Sequence, residues 1–269
     1  EGRFARVAGC PPDYFSADGQ LWGNPLYNWT YHKQTGYAWW VQRVRHALGI
    51  YDLLRIDHFR GFDTYWAIPA DSATAKTGKW ENGPGMELFD ALEQALGQLP
   101  IIAEDLGELF PSVRELLADS TFPGMKVLQF AFSGGDSEYL PHNHVKNSVV
   151  YPGTHDNTTI TAWWESAATP KEKATAAAYL HLTGAHPTAK ELAAVKTADA
   201  RTALLRAALG SVADRAIIPM YDWLGLGEEA HLNTPGKLGG NWAWRAAAGF
   251  ESKTLAKTIA DECSVYCRV

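Results

Sequence analysis

The sequence predicts an α/β fold of parallel strands and crossover helices, of the (β/α)8 TIM-barrel type, with about five of the strands inside this chain. Three observations point there. Short apolar runs alternate with helical stretches that stop at glycine, the pattern of successive strand–helix units. The length, 269 residues, is near the roughly 250 typical of such a barrel. Three apolar runs end abruptly at an acid, Asp57, Glu104 and Asp156, and barrels of this type carry their catalytic groups just beyond the strands. Five strands where a closed barrel needs eight mean either three unrecognised strands or a piece of a larger domain, and a first residue Glu1 in place of methionine favours the piece, with residues 1–269 its C-terminal portion. Residues 9–31 are expected to form an aromatic loop on it.

Composition narrows the function classes. A net charge of −6 with 46% hydrophobic residues describes a globular chain with ample core material. That charge argues against a general nucleic-acid binder, which needs a basic face. No apolar run is long enough to span a bilayer. Cys10, Cys263 and Cys267 make no disulfide framework and fit a reducing compartment. Cys263 and Cys267 are expected on one C-terminal helix, facing the same way, where two thiols alone make a poor zinc site. Of the eleven Trp, eleven Tyr and ten Phe, many sit in Gly/Pro/Asn-rich segments, a placement that favours ligand contact over core.

In chain order, residues 9–29 read as a loop, with Pro11-Pro12, Asp18-Gly19 and Asn24-Pro25 as turn signals. Five aromatics argue that it is ordered, and Tyr14 and Trp22 are its candidates for touching a ligand. Anchoring of the loop to its own domain by the same rings is the alternative. Residues 38–48 form an amphipathic helix closed by Gly49. The run Leu53-Leu54-Arg55-Ile56-Asp57 is a strand, 71–85 a loop, and 86–96 a helix. Ile101-Ile102-Ala103-Glu104 is again a short strand ending in an acid. A helix with proline in its first turn follows at 111–117, then strands at 125–132 and 147–151. Residues 169–209 are alanine-rich helical text with capping boxes at Thr169 and Thr188. A strand at 216–220 and a helix from about Ser252 complete the pattern.

Side chains alternate along a strand, so Arg55 and Asp57 share one face. A guanidinium there favours a charged carboxylate, as a nucleophile requires, although a structural ion pair is the commoner reason for such neighbours. Glu104 follows an uncharged run, and desolvation suits it to acid/base work. Three acids with abundant aromatics and no evident metal cluster fit glycoside chemistry, in which one carboxylate attacks the anomeric carbon and a carboxylic acid protonates the leaving oxygen. The pairs Asp57-His58 and His155-Asp156 are also candidate metal ligands. That alternative is weaker, because neighbours on a strand point to opposite faces. His58 and His155 are read either as supports for the acids or as donors to substrate hydroxyls.

The segments GCPPDYFSADGQLWGNPLYNW, RIDHFRG, IIAEDLG, PGMKVLQFAF, LPHNH, VVYPGTHDN, AIIPMYDWLGLG and NTPGKLGGNWAWR resemble, in that order, the amylomaltases, the 4-α-glucanotransferases or disproportionating enzymes of the α-amylase superfamily. The resemblance implies retaining transfer of α-1,4-glucan segments between malto-oligosaccharides, without metal or organic cofactor. On matching positions Asp57 is the nucleophile, Glu104 the acid/base and Asp156 the transition-state stabiliser. Arg55, His58, His155 and Asn157 contact sugar or orient the acids, and Tyr14 and Trp22 belong to a loop overhanging the cleft. A cytoplasmic enzyme is implied, or a stromal one in a plant. GTHDNTT lacks the acid that many relatives carry after the Asn. The family's barrel begins before Glu1, so another segment or another copy is expected to complete it. An α-amylase-like hydrolase, or a glucan-binding fragment without turnover, are the competing readings.

Overall fold

Small and apolar residues in RVAGC form the first strand, β1 (Arg6–Cys10). The structure, a computed structural model, describes residues 4–12, 17–107, 109–237 and 239–268. The chain divides into two compact units, Glu1–Met125 and Lys126–Val269.

In the first unit β1 pairs antiparallel with β2 (Gln20–Pro25). Helix α1 (Trp29–Gln34) starts under Asn28, whose side chain accepts from the Tyr31 N–H. Helix α2 (Ala38–Leu48) buries Trp40 and Val44. Strand β3 (Leu54–Ile56) follows, then β4 (Thr64–Pro69), β5 (Lys79–Asn82), helix α3 (Met86–Leu96), strand β6 (Ile101–Ala103) and helix α4 (Pro111–Ser120). Two sheets result, an antiparallel one in the order β2-β1-β4-β5 and a parallel pair β3-β6. Phe59, Phe89, Leu88, Leu92 and Ile101 fill the core beside the parallel pair.

The antiparallel sheet departs from the expected organisation. Residues 9–29 are not wholly loop, since β2 lies within them, and 71–85 contains β5. Neither strand announces itself: β2 is almost wholly exposed and so carries no period-two hydrophobic signal. Its place is fixed by partners, and Gly9 permits the approach, because a Cβ there would lie 2.3 Å from the Gln20 carbonyl oxygen.

Strand β7 (Gly124–Val127) leads from the first unit into the second, where it joins β8 (Ser148–Tyr151) in a three-stranded sheet. A short helix α5 (Ile160–Ala162) passes into a π turn, and α6 (Pro170–Tyr179), α7 (Ala189–Ala194) and α8 (Thr197–Leu209) follow. Strand β9 (Arg215–Ala216) runs parallel to β8, ahead of α9 (Met220–Leu224) and α10 (Lys253–Val265). Alanines 176, 177, 200 and 208 are fully buried with Leu204, Ile160 and Val150, so the alanine-rich text is a helix face that packs closely.

Three boundaries shift. The strand expected over 125–132 turns into a 3-10 helix from Leu128. The strand expected at 216–220 ends early, because Pro219 caps α9 and Met220 is already helical. Cys267 lies past α10 in a left-handed conformation, φ 54°, so it shares no helix face with Cys263, and Cys10, Cys263 and Cys267 form no disulfide. Among the described residues no helix is long and apolar enough to cross a membrane.

Both capping boxes are formed: Thr169 and Glu172 satisfy each other's backbone N–H at the start of α6, as Thr188 and Glu191 do at α7. Thr169→Ala is expected to cost about 1 kcal/mol, read as a lower urea midpoint with an unchanged slope. An unaltered midpoint would show that this cap contributes nothing.

Candidate active site

β3 and β6 pair in parallel with Leu54 opposite Ile101, Arg55 opposite Ile102 and Ile56 opposite Ala103. The ladder runs one step further, since the Glu104 N–H donates to the Ile56 carbonyl at 2.9 Å and the Phe59 N–H to the Glu104 carbonyl at 3.0 Å. Asp57 and Glu104 therefore leave the sheet at the same C-terminal end, in consecutive register. Arg55 and Asp57 share a face as alternation requires: Arg55 Nη1 donates to Asp57 Oδ1 at 2.9 Å. The Arg55 side chain is 25% exposed and that of Asp57 76%. Arg55 Nε points to Met125 Sδ at 3.4 Å, which holds the guanidinium from its other side.

Glu104 has the opposite environment. Burial, the largest influence, raises its pKa above the ordinary carboxylate value, and the Asp57 charge adds to that; backbone donors and Arg55 oppose it. The donors are the His58 N–H to Oε2 at 2.6 Å and the Leu106 N–H to Oε1 at 2.8 Å. The next residue, Asp105, turns the other way and accepts from the Met125 N–H at 2.6 Å. This explains Gly124, where a Cβ would meet the Asp105 carboxylate at 2.5 Å.

His58 adopts a left-handed conformation, φ 50°, and opens a 3-10 turn over Phe59–Phe62. Phe59 anchors the turn, fully buried and stacked on Phe89 at 5.4 Å. Burial, then the nearby Arg60 charge, lower the His58 pKa to about 4, so at neutral pH the ring is uncharged and able both to donate and to accept. Trp22 meets that ring edge-on at 4.9 Å and donates its indole N–H to Gln20 Oε1 at 3.1 Å. Arg60 is buried, its guanidinium 4.3 Å from the Trp80 ring centre and 4.7 Å from that of Phe110. Arg55, Asp57, His58, Glu104 and Trp22 thus belong to one neighbourhood of the first unit. Tyr14 lies outside the described residues.

The second unit holds its own group around the turn after β8. Asp156 Oδ1 accepts from Asn233 Nδ2 at 2.5 Å, and its Oδ2 is 3.4 Å from His155 Nε2. The Asn233 N–H also donates to the His155 carbonyl at 3.1 Å. Asn157 closes the turn, its side-chain oxygen accepting from both the N–H and the hydroxyl of Thr154 at 2.9 Å. The ring of Trp242 lies 5.0 Å from that of His155. Sequence reasoning gave no role to Asn233 and Trp242, although both lie in the segment NTPGKLGGNWAWR that carries part of the resemblance.

It also passed over Asp222, which α9 carries into the core. One oxygen accepts from the Ile160 N–H at 2.8 Å, and the other has no partner. Burial raises its pKa to about 7, against the pull of Ile160 and Arg201. Next to it, the Tyr221 hydroxyl donates to the Thr154 carbonyl at 3.3 Å. Among the described residues no group of three or more His, Cys, Asp or Glu is disposed to hold a metal ion.

Comparison with known proteins agrees with these motifs. A family model described as 4-alpha-glucanotransferase, of glycoside hydrolase family 77, matches residues 3–250. The chain is 44% identical over 264 residues to a 4-alpha-glucanotransferase of Clostridium butyricum, covering 98% of this chain and 52% of that one. It is 46% identical over 252 residues to the enzyme of that name from Thermus thermophilus, covering 93% and 49%. The amylomaltase from Streptococcus agalactiae in complex with acarbose superimposes with a TM-score of 0.88 at 39% identity, over 98% of this chain and 51% of that one. The class is therefore an α/β protein with paired carboxylates at parallel strand ends. More particularly, the chain belongs to the 4-alpha-glucanotransferase family. It spans about half the length of the curated relatives it matches.

Asp222 gives a pH prediction. An acid whose pKa is raised on folding contributes fully below its unfolded value, and the contribution is lost as pH rises through the folded value. Stability of the wild type should thus decline by a few kcal/mol as pH rises from about 4 to beyond about 7. Asp222→Asn should flatten that segment in urea melts taken across the range. Parallel profiles for the two proteins would contradict it.

Proposed function

We propose that this chain carries the catalytic acids of a 4-α-glucanotransferase, an enzyme that moves α-1,4-glucan segments between malto-oligosaccharides by retaining double displacement. The observation that carries the proposal is the contrast between two carboxylates at one end of neighbouring parallel strands. Asp57 is exposed and bonded to Arg55, whereas Glu104 is desolvated with a raised pKa. The pairing of β3 and β6 in one register brings both acids to a single strand end, as the two carboxyl groups of a retaining pair require.

In the first displacement, an Asp57 oxygen bonds to the anomeric carbon while the bond to the leaving glucan oxygen breaks. Protonated Glu104 supplies the proton to that oxygen. In the second, the ionised Glu104 takes the proton of an acceptor sugar hydroxyl. That oxygen then displaces Asp57 from the anomeric carbon, so two inversions restore the original configuration. The opposed influences on Glu104 suit both halves: burial favours the acid that donates, and the two N–H groups steady the carboxylate that accepts. Asp156 is assigned to stabilising the positive charge that develops on the sugar, held by Asn233. Arg55 orients the nucleophile. His58, which is neutral, serves sugar binding together with His155 and the Trp22 ring, and Asn157 acts through the turn it closes. Tyr14 is assigned to the acceptor side, where exclusion of water favours a sugar hydroxyl over hydrolysis.

We also assign β3 and β6 to a (β/α)8 barrel completed by another segment or another copy. Support comes from their parallel pairing and from the partial coverage of the relatives.

Maltotriose is the test substrate. Longer oligomers appearing with glucose on thin-layer separation support transfer, glucose and maltose alone would indicate a hydrolase, and binding without products a non-catalytic fragment. Glu104→Gln should lower turnover about 10²- to 10⁴-fold and Asp57→Asn should abolish it; near-normal rates in either would refute the assignment. Tyr14→Ala should raise the hydrolysis-to-transfer ratio, and unchanged product ratios would refute that role.

A further inference from the structure

The loop that brings Asn233 to Asp156 continues to Trp242, a large ring held in a way that packing of the loop does not require. The residue is 54% exposed. Its backbone is left-handed, φ 60°, a conformation rare for a bulky side chain and maintained only where the surroundings impose it. Here they do. The Trp242 N–H donates to the Leu232 carbonyl at 2.6 Å, and its own carbonyl accepts from Arg245 Nη1 at 2.9 Å. The preceding residue, Asn241, closes the loop by accepting from the Thr234 N–H at 3.0 Å and donating to the Lys237 carbonyl at 2.9 Å. All these bonds fix the main chain and leave the indole largely open. The ring inclines by 34° to that of His155, 5.0 Å away, and His155 and Leu232 flank the two residues joined by the Asn233–Asp156 bond.

We propose that Trp242 is a stacking platform for a glucosyl ring of the α-1,4-glucan, the ring next to the one that meets Asp156. This deepens the glucanotransferase reading and rests on it. The C–H face of a glucopyranose is apolar with weakly positive hydrogens, and the indole face is the negative pole of an aromatic quadrupole. A flat ring locked in place loses little freedom when sugar settles on it, which makes rigid aromatics effective contact surfaces. The contact is to a non-reacting ring, so it strengthens ground state and transition state alike and appears in KM more than in kcat. A ring needed only to shape the loop would instead disturb His155 and the Asn233–Asp156 bond, and so depress kcat.

Three variants separate these roles, with maltotriose disproportionation and maltotriose binding by calorimetry as readouts. Trp242→Ala should raise KM and the dissociation constant about three- to tenfold, with kcat changed less than about twofold. Trp242→Phe, which keeps an aromatic face, should recover most of the loss. Trp242→Gly suits the left-handed backbone, so it should melt no lower than the wild type and still bind as weakly as the Ala variant. Unchanged KM and binding in the Ala and Gly variants would overturn the inference alone. So would a fall in kcat at constant KM that Phe does not restore. A wild type that neither binds nor converts maltotriose would overturn the glucanotransferase reading, and this inference with it.

Discussion

The site in the first unit depends on a parallel ladder that runs one residue past its strands. The Ile56 carbonyl receives the Glu104 N–H, and the Glu104 carbonyl receives the Phe59 N–H. Because those bonds are main-chain, Glu104 is located before its side chain makes any choice. The His58 N–H then takes up one carboxylate oxygen and the Leu106 N–H the other. Buried backbone groups must be paired, and here the same pairing satisfies them and aims the acid.

That arrangement separates two carboxylates that are neighbours in register. Asp57 faces solvent and leans on Arg55, while Glu104 sits beneath the surface with its pKa raised by burial and by the Asp57 charge. A third ionisable group beside them would confuse the division if it carried charge. His58 does not, because desolvation and Arg60 lower its pKa to about 4. The second unit repeats the device in simpler form, with an acid beyond a short parallel strand and an amide from a distant loop fixing one oxygen.

What could be read in the sequence was whatever a local pattern determines. Helices α2 and α3, both capping boxes and the strand ends at Asp57 and Glu104 follow from period, caps and charge, and the structure has them there. Strands β2 and β5 were illegible because pairing, not hydrophobicity, makes them strands. Pro219 is a visible punctuation mark, yet the apolar run through it has the pattern of a strand, and only its packing as the cap of α9 distinguishes the two. Asn233 and Trp242 were illegible for another reason: each acts across a long loop closure, and no spacing rule links residue 156 to residue 233.

The burial of Arg60 has its own consequence for which cations this position tolerates. Its guanidinium lies 4.3 Å from the centre of the Trp80 ring and 4.7 Å from that of Phe110, two rings that meet each other edge-on at 73°, a corner that a delocalised planar cation contacts more fully than a compact ammonium does. Lysine there would conserve the electrostatics and forfeit the fit, so the corner discriminates by shape between residues usually treated as interchangeable.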